Sequence, residues 1–114
     1  MNDRTGLVVA ERLLPAFDSV ARRRGLLGVD TFPTGSAMVI GPSNAIHTFF
    51  MKFAIDVLFV AKDGRVVKVR EEVRPWRIAG AWRAYCVIEL AAGGLRVSDT
   101  QVGDVVSMRP IDST

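Results

Sequence analysis

The chain has 114 residues, of which 49% are hydrophobic and 24% charged, and its formal net charge is +3. This length suits one domain, residues 1–114, and excludes two, and the composition is that of an ordinary globular protein. No apolar run reaches the roughly 20 residues of a membrane helix, and no secretory signal pattern is present, so we expect a cytoplasmic protein without membrane association. The single cysteine, Cys86, cannot form an internal disulfide.

The N-terminal part of the chain combines strand-like and helical signals. Residues 7–17 predict two short strands or one bent strand. Asp18-Ser19 is a candidate N-cap, which predicts one short helix near residues 19–24, and Gly25 suits the position just after its end. The apolar segment Ser36–Ile40 predicts a short buried strand.

The most regular pattern in the chain is the alternation of apolar residues across residues 47–60. Every odd position from 49 to 59 is apolar. A period of two over this length predicts a single β-strand with one face in a core. Gly64 suits the left-handed position of a three-residue turn at 62–64, so we predict a hairpin whose second strand runs to about Val73.

Charges on the two strands favour one register for this hairpin. A three-residue loop places Val57 opposite Val69 and Asp56 opposite Arg70, whereas a two-residue loop places Asp56 opposite a glutamate. Opposite charges across an antiparallel pair stabilise it by about 0.2–1 kcal/mol, and like charges destabilise it. We therefore expect Asp56 to be the cross-strand partner of Arg70.

The C-terminal part predicts a surface loop followed by two strands. Residues 74–83 contain two tryptophans, three arginines, a proline and a glycine, which is typical of a loop. Alternation returns from Trp82, which places Trp82 and Cys86 on an inward face, and a last strand is predicted at 105–108. Short strands between Gly and Pro turns, without βαβ alternation, predict a mainly β, single-domain sandwich or barrel.

Five segments of the chain resemble the domain of unknown function 192 (DUF 192) family. They are ARRRGLLG at 21–28, IHTFFMKFAIDVLFVAKDGRVV at 46–67, PWR at 75–77, CVIELAAG at 86–93 and VGDVV at 102–106. The resemblance extends from about Gly6 to Met108. It implies a small β-sandwich of jelly-roll-like topology, and it implies no activity, because none is established for the family.

The family pattern gives weight to a set of residues in this chain: His47, Thr48, Met51, Asp56, Gly64, Glu89, Gly93, Gly103 and Asp104. This chain departs from many relatives at Ala54, where they have Pro, and at Ser43, where they have Cys. A Cys four residues before His47 would suggest a thiolate–imidazole pair, and this chain cannot form that pair there.

His47 is the one histidine and the candidate general base, because imidazole titrates near neutrality. With Asp56 or Glu89 as its partner, it gives a first alternative function, a small hydrolase or isomerase. The chain has no G-x-S-x-G nucleophile elbow, and a Cys86 on an apolar face would be inert. One His and one Cys do not supply a zinc site, and the acidic residues lack calcium-loop spacing, so we expect no metal and no cofactor.

The loop at 74–83 is the best candidate for a binding surface, since Trp and Arg dominate contact hot spots and Trp can stack on a ligand. The structural alternative for Glu89 is an ion pair with an arginine of residues 22–24. The candidate ligand-binding residues are His47, Thr48, Arg74, Trp76, Arg77, Asp56 and Glu89.

These observations predict a noncatalytic ligand-binding or accessory domain whose partner is a small molecule or a protein, and they favour a binding role over an enzyme. A second alternative is a nucleic-acid-associated basic protein that uses Arg22–Arg24, Arg74 and Arg77. Nucleic-acid-binding domains cluster their basic residues on one face, whereas acids and bases interleave along this chain, so we regard nucleic acid as a disfavoured partner.

Overall fold

A computed structural model of the protein describes residues 2–7, 9, 12–16, 35–48 and 51–107. Within these ranges the chain forms strands and one short helix. They are β1 (Arg12–Ala16), β2 (Ser36–Ile40), β3 (Ala45–His47), β4 (Ile55–Val60), β5 (Val66–Val73), β6 (Ile78–Gly80), β7 (Cys86–Ala91) and α1 (Gly94–Ser98). The helix predicted near residues 19–24 lies outside the described residues.

The strands form two sheets, which confirms the mainly β fold. The main sheet has five strands in the order β1-β2-β7-β4-β5. Its β1–β2 pair is parallel and its other pairs are antiparallel. The second sheet is the antiparallel pair of β3 and β6, which we call the ribbon. The predicted strand Ser36–Ile40 is confirmed, and so is the end of the hairpin at Val73. The jelly-roll-like connectivity stays a prediction.

The single strand predicted across residues 47–60 is wrong. The segment belongs to two strands in different sheets, since β3 ends at His47 and β4 begins at Ile55. Between them the chain bends, and the Met51 amide donates to the Thr48 carbonyl at 3.2 Å. Met51 and Phe53, in the bend, also pack in the core. The alternation therefore continues through the bend, and a period of two cannot reveal it.

The hairpin loop is confirmed, but its predicted register is wrong. The Ala61 amide donates to the Arg65 carbonyl at 2.8 Å, which closes a three-residue turn at 62–64. A register shift between Phe59 and Val60 then places Val57 opposite Arg70 instead of Val69. A bulge adds one residue to one strand, so every pair beyond it moves by one position. The predicted pairing of Asp56 with Arg70 is lost for this reason.

Both faces of the main sheet are covered. On one face, Val57, Phe59 and Val87 form a cluster with Ile46 and Ala79 of the ribbon. On the other face, Leu58, Val60 and Leu90 pack with Leu95 of α1. Because both faces are buried, β4 has six consecutive buried residues and its sequence is nearly all apolar. The ribbon and α1 thus lie on opposite sides of the main sheet.

Three further predictions need correction. Residues 74–83, predicted as a loop, contain strand β6. Trp82, predicted to face inward, is 81% exposed because it lies in the turn after β6, before the inward alternation of β7 begins. In place of a strand at 105–108, the structure has isolated bridges from Val105 to Arg65 and from Val106 to Asn2, and Met108 lies outside the described residues.

Candidate functional site

The ribbon has an inner and an outer face, which strand alternation assigns. Ile46 pairs with Ala79, and both are buried against the main sheet. The next pair, His47 and Ile78, therefore faces outward, and Ile78 is 70% exposed. An exposed isoleucine beside an exposed histidine is an unusual feature for a sheet face, since such faces normally carry polar residues.

Thr48 fixes the chain next to the outer face. Its side chain is fully buried. Its hydroxyl donates to the Arg74 carbonyl at 2.6 Å and accepts from the Arg77 amide at 2.8 Å. Its backbone carbonyl also accepts from the Trp76 amide at 3.0 Å. Thr48 is thus a positioning residue that shapes residues 74–77, and its side chain is not available to a ligand.

The segment that Thr48 positions presents Trp76 to solvent. Trp76 has a φ of 67°, a left-handed conformation that is costly for a bulky residue, and its side chain is 55% exposed. Arg74 and Arg77 flank it and are also exposed. Strain of this kind persists where the surrounding structure enforces it, and here the hydrogen bonds of Thr48 do so.

The other end of β6 carries a second exposed tryptophan. Ala79 and Ala81 pack inward, and Trp82, in the turn that follows β6, is 81% exposed. The Arg83 guanidinium lies 4.9 Å from the Trp82 ring centroid, which is cation–π distance. Both tryptophans of the chain therefore lie in the segments that flank β6.

Lys68 fastens the ribbon to the main sheet. It stands on β5, and its Nζ donates to the Gly80 carbonyl at 2.7 Å while lying 5.7 Å from the Phe59 ring centroid. Gly80 is on β6, at the ribbon edge. This hydrogen bond satisfies an edge carbonyl that would otherwise be open to another strand, and it holds the outer face at a fixed orientation.

Asp56 lies away from the ribbon and has a structural role. It is 1% exposed and opposes Leu90, on the α1 side of the main sheet. Its Oδ2 accepts from the amides of Gly93 and Leu95 at 3.0 and 3.1 Å, and its Oδ1 accepts from the Glu72 amide at 2.9 Å. The carboxylate therefore anchors the start of α1 and the bulged end of the β4–β5 hairpin.

Glu89 is buried on the opposite face of the sheet from Asp56. It pairs with Val57 and Met38, both of which belong to the cluster under the ribbon. Its side chain is 3% exposed, and its Oε2 has no hydrogen-bond partner among the described residues. Burial raises the pKa of Glu89 to about 7. Its predicted partners, the arginines at 22–24, lie outside the described residues.

The predicted site residues thus separate into two groups. His47, Arg74, Trp76 and Arg77 lie on or beside the outer face of the ribbon, with Thr48 beneath them. Asp56 and Glu89 are buried on opposite faces of the main sheet, so they cannot form a carboxylate pair. Sequence reasoning missed Ile78, Trp82 and Lys68. A signal for Ile78 was present, because it is an apolar residue between the two tryptophans. Its exposure could be predicted only by recognising that β6 is a strand.

A buried polar cluster accounts for Asp104, at the far end of the molecule. Its carboxylate accepts from Arg4 Nε at 2.6 Å, from Asn2 Nδ2 at 2.9 Å and from the Gln101 amide at 2.9 Å. These bonds, that from Arg4 first, hold the pKa of Asp104 well below its usual range. Asn2 is fully buried, so the cluster fastens the N-terminal segment to the loop after α1.

Metal-ligand geometry is absent from the part of the chain that the structure describes, where no three His, Cys, Asp or Glu side chains converge. Cys86 is half-buried against the cluster on the α1 side, and burial raises the pKa of its thiol, so it is a weak nucleophile at neutral pH. None of the helices in the described ranges has the length and apolar character of a membrane span.

A protein-family model matches the chain over residues 6–108. The chain belongs to the DUF 192 family. That family is described as an uncharacterized ACR. No curated protein matches the chain.

Two crystal structures have a similar fold to this DUF 192 protein. One is a protein of Sinorhizobium meliloti provisionally described as a transcription regulator, with a TM-score of 0.75 and 22% identity over 82% of this chain and 78% of that one. The other is a protein of unknown function from Novosphingobium aromaticivorans, with a TM-score of 0.76 and 19% identity over 84% of this chain and 74% of that one. At such identities the likeness shows the fold alone.

Proposed function

We propose that this protein is a noncatalytic binding domain and that the outer face of the ribbon is its binding surface. One observation carries the proposal: within residues 76–82, which contain β6, Trp76, Ile78 and Trp82 are 55%, 70% and 81% exposed. Large exposed apolar residues so close together in the chain, bordered by arginines, are characteristic of an interaction site. The partner is a protein or a small molecule that the domain meets in the cytoplasm.

The position of the acidic residues supports binding over hydrolysis or isomerisation. A general base needs a partner within hydrogen-bond reach of the reacting group. His47 is on the outer face of the ribbon, Glu89 is under its inner face, and Asp56 is on the far side of the main sheet. Asp56 is also engaged by three backbone amides. Thus neither carboxylate shares a surface with His47.

The strained backbone at Trp76 supports the same proposal. A left-handed tryptophan costs of the order of 1–3 kcal/mol, and the fold retains it while leaving the ring exposed. Burial of the ring in the core would offset that cost, but exposure does not. Binding of a partner to the ring would give the strained conformation a use.

Intrinsic fluorescence tests the proposal directly, because both tryptophans lie on the proposed surface. A ligand screen should find compounds or peptides that change the emission of the native protein. Trp76→Ala should weaken their binding, measured by calorimetry, by about tenfold or more, as expected for a contact hot spot. Ile78→Ser should also weaken binding, whereas the matched change Val97→Ser, on equally exposed Val97 of α1, should not.

Two outcomes would contradict the binding proposal. Ligands that bind tightly but are insensitive to Trp76→Ala and Ile78→Ser would place the binding surface elsewhere. Robust turnover in a broad hydrolase screen, abolished by His47→Ala in a variant with an unchanged circular dichroism spectrum, would favour the enzyme.

A further inference from the structure

We propose that the ribbon's outer face binds an extended, acidic segment of a partner protein; this inference rests on the proposed binding function. Four features of the surface support it. Its charge and its length favour such a segment, its openness disfavours a small molecule, and its apolar centre disfavours nucleic acid.

The charge of the surface is positive and unmixed. The segments that form the ribbon and its connections, residues 42–48 and 74–85, contain Arg74, Arg77 and Arg83 and no Asp or Glu, although the chain has 12 acidic residues in 114. Elsewhere acids and bases interleave. Arginine binds carboxylates through paired, charge-assisted hydrogen bonds, which a planar guanidinium is shaped to make. A partner rich in carboxylates therefore complements this surface.

The length of the surface fits an extended segment. Trp76 and Trp82 are six residues apart on either side of β6, so the surface between them is at most about 20 Å long. An extended peptide of up to about six residues therefore covers it. Its apolar side chains would contact Trp76, Ile78 and Trp82, and its carboxylates would reach the arginines at both ends.

The openness of the surface disfavours a small molecule. Small-molecule sites are concave and enclose most of the ligand. Here Ile78 and Trp82 have most of their surface in water. A ligand lying on so open a face keeps one side solvated, which a protein segment tolerates because its own domain covers that side.

The apolar centre of the surface disfavours nucleic acid. Single strands are bound by stacked aromatic rings within a continuous positive groove. Here an aliphatic residue, Ile78, stands between the two rings. Arg83 already lies over the Trp82 ring, at 4.9 Å from its centroid, which occupies one of the two faces on which a base would stack.

Panning a random peptide library against the folded protein tests the inference. We expect the enriched peptides to combine acidic and apolar residues and to change the tryptophan emission. The triple variant Arg74→Gln, Arg77→Gln, Arg83→Gln should bind them about tenfold less tightly, since three exposed charge pairs each contribute roughly 0.5 kcal/mol. Arg96→Gln is the matched control, because Arg96 is an exposed arginine on α1, across the main sheet. Thermal melts should show that the triple variant remains folded.

The outcomes separate this inference from the proposed function. Enriched peptides that change the tryptophan emission but lack acidic residues, or that bind the triple variant equally well, would overturn the acidic partner and keep the binding surface. If an oligo-dT strand binds tightly and changes the emission while no peptide does, the acidic partner is overturned in favour of nucleic acid, and the binding surface is kept. If no peptide is enriched, the inference of an acidic partner segment fails. The proposed function fails as well if the ligand screen also finds no compound or peptide that changes the emission.

Discussion

Replacing Asp56 by Asn tests the role assigned to the most buried carboxylate. The two side chains have nearly the same shape, so the change creates no cavity. An Asp carboxylate offers two acceptor oxygens, and here they receive three backbone amides, from Glu72, Gly93 and Leu95. An Asn side chain offers one acceptor and one NH2 donor. Whichever way the amide is oriented, its NH2 group faces at least one backbone N–H.

The cost can be estimated from the bonds lost. If the Asn oxygen faces Gly93 and Leu95, the Glu72 amide loses a charge-assisted bond, which contributes about 1.5–3 kcal/mol. Glu72 is an exposed residue, so water can reach its amide and no separate cost for a buried, unpaired donor is added. We therefore expect Asp56→Asn to lower the free energy of unfolding by about 1.5–3 kcal/mol. That is a substantial part of the roughly 5–15 kcal/mol typical of a domain.

Urea unfolding followed by circular dichroism measures this loss. With a typical slope, the midpoint should fall by about 1–2 M. Asp63→Asn is the matched control, because Asp63 is exposed and its Oδ1, which accepts from the Arg65 amide at 3.0 Å, has an equivalent in Asn. We expect the control to change stability by less than about 0.5 kcal/mol. A loss below about 1 kcal/mol for Asp56→Asn would refute the anchoring role.

Three further changes test other parts of the fold. Burial raises the pKa of Glu89 from 4.5 to about 7, so the free energy of unfolding should fall by up to about 3 kcal/mol as the pH rises through that range. The fall is measured by comparing urea midpoints at about pH 5 and about pH 8, and Glu89→Gln should abolish it. Gly64→Ala should cost about 2 kcal/mol or more in thermal melts, because Gly64 has a φ of 92° and a Cβ there would lie 2.8 Å from the Val106 carbonyl oxygen. Lys68→Met should lower the free energy of unfolding by about 1.5–3 kcal/mol, since the Gly80 carbonyl loses a charged donor. It should also shift the tryptophan emission, because Lys68 holds the ribbon against the main sheet. Unchanged emission would contradict that role.

Local pattern predicted the elements that are regular over their whole length. Strand β2 and the three-residue hairpin turn follow from short-range signals, the apolar run at 36–40 and the glycine at 64. The division of residues 47–60 between two sheets could not be predicted, because Met51 and Phe53, which lie between the two strands, pack against the core as alternate residues of a strand would. A bulge likewise leaves no mark on the alternation of β4 but moves each partner by one position. The predicted pairing of Asp56 with Arg70 is wrong because of this shift in register.

The sequence supplied some residues of the candidate surface through composition, and their binding role stays a prediction. Arg74, Trp76 and Arg77 were chosen because Trp and Arg are frequent at contact surfaces, and the structure places them in one exposed segment. Thr48 was correctly placed beside them but acts beneath the surface, through bonds to a segment 26 to 29 residues away. Such long-range bonds depend on how β3 and β6 meet, and no local pattern encodes that meeting.

The residues that the fold requires and those that it does not are separated in space. Asp56, Thr48 and Asp104 are buried, and their hydrogen bonds account for their presence without any ligand. Trp76 and Trp82 contribute little to the core, and at Trp76 the backbone is held in a costly conformation. For stability alone, glycine or asparagine would adopt the positive φ of this position at lower cost than tryptophan. The proposed contact at the outer face of the ribbon would give the exposed tryptophan ring a role that the fold does not require.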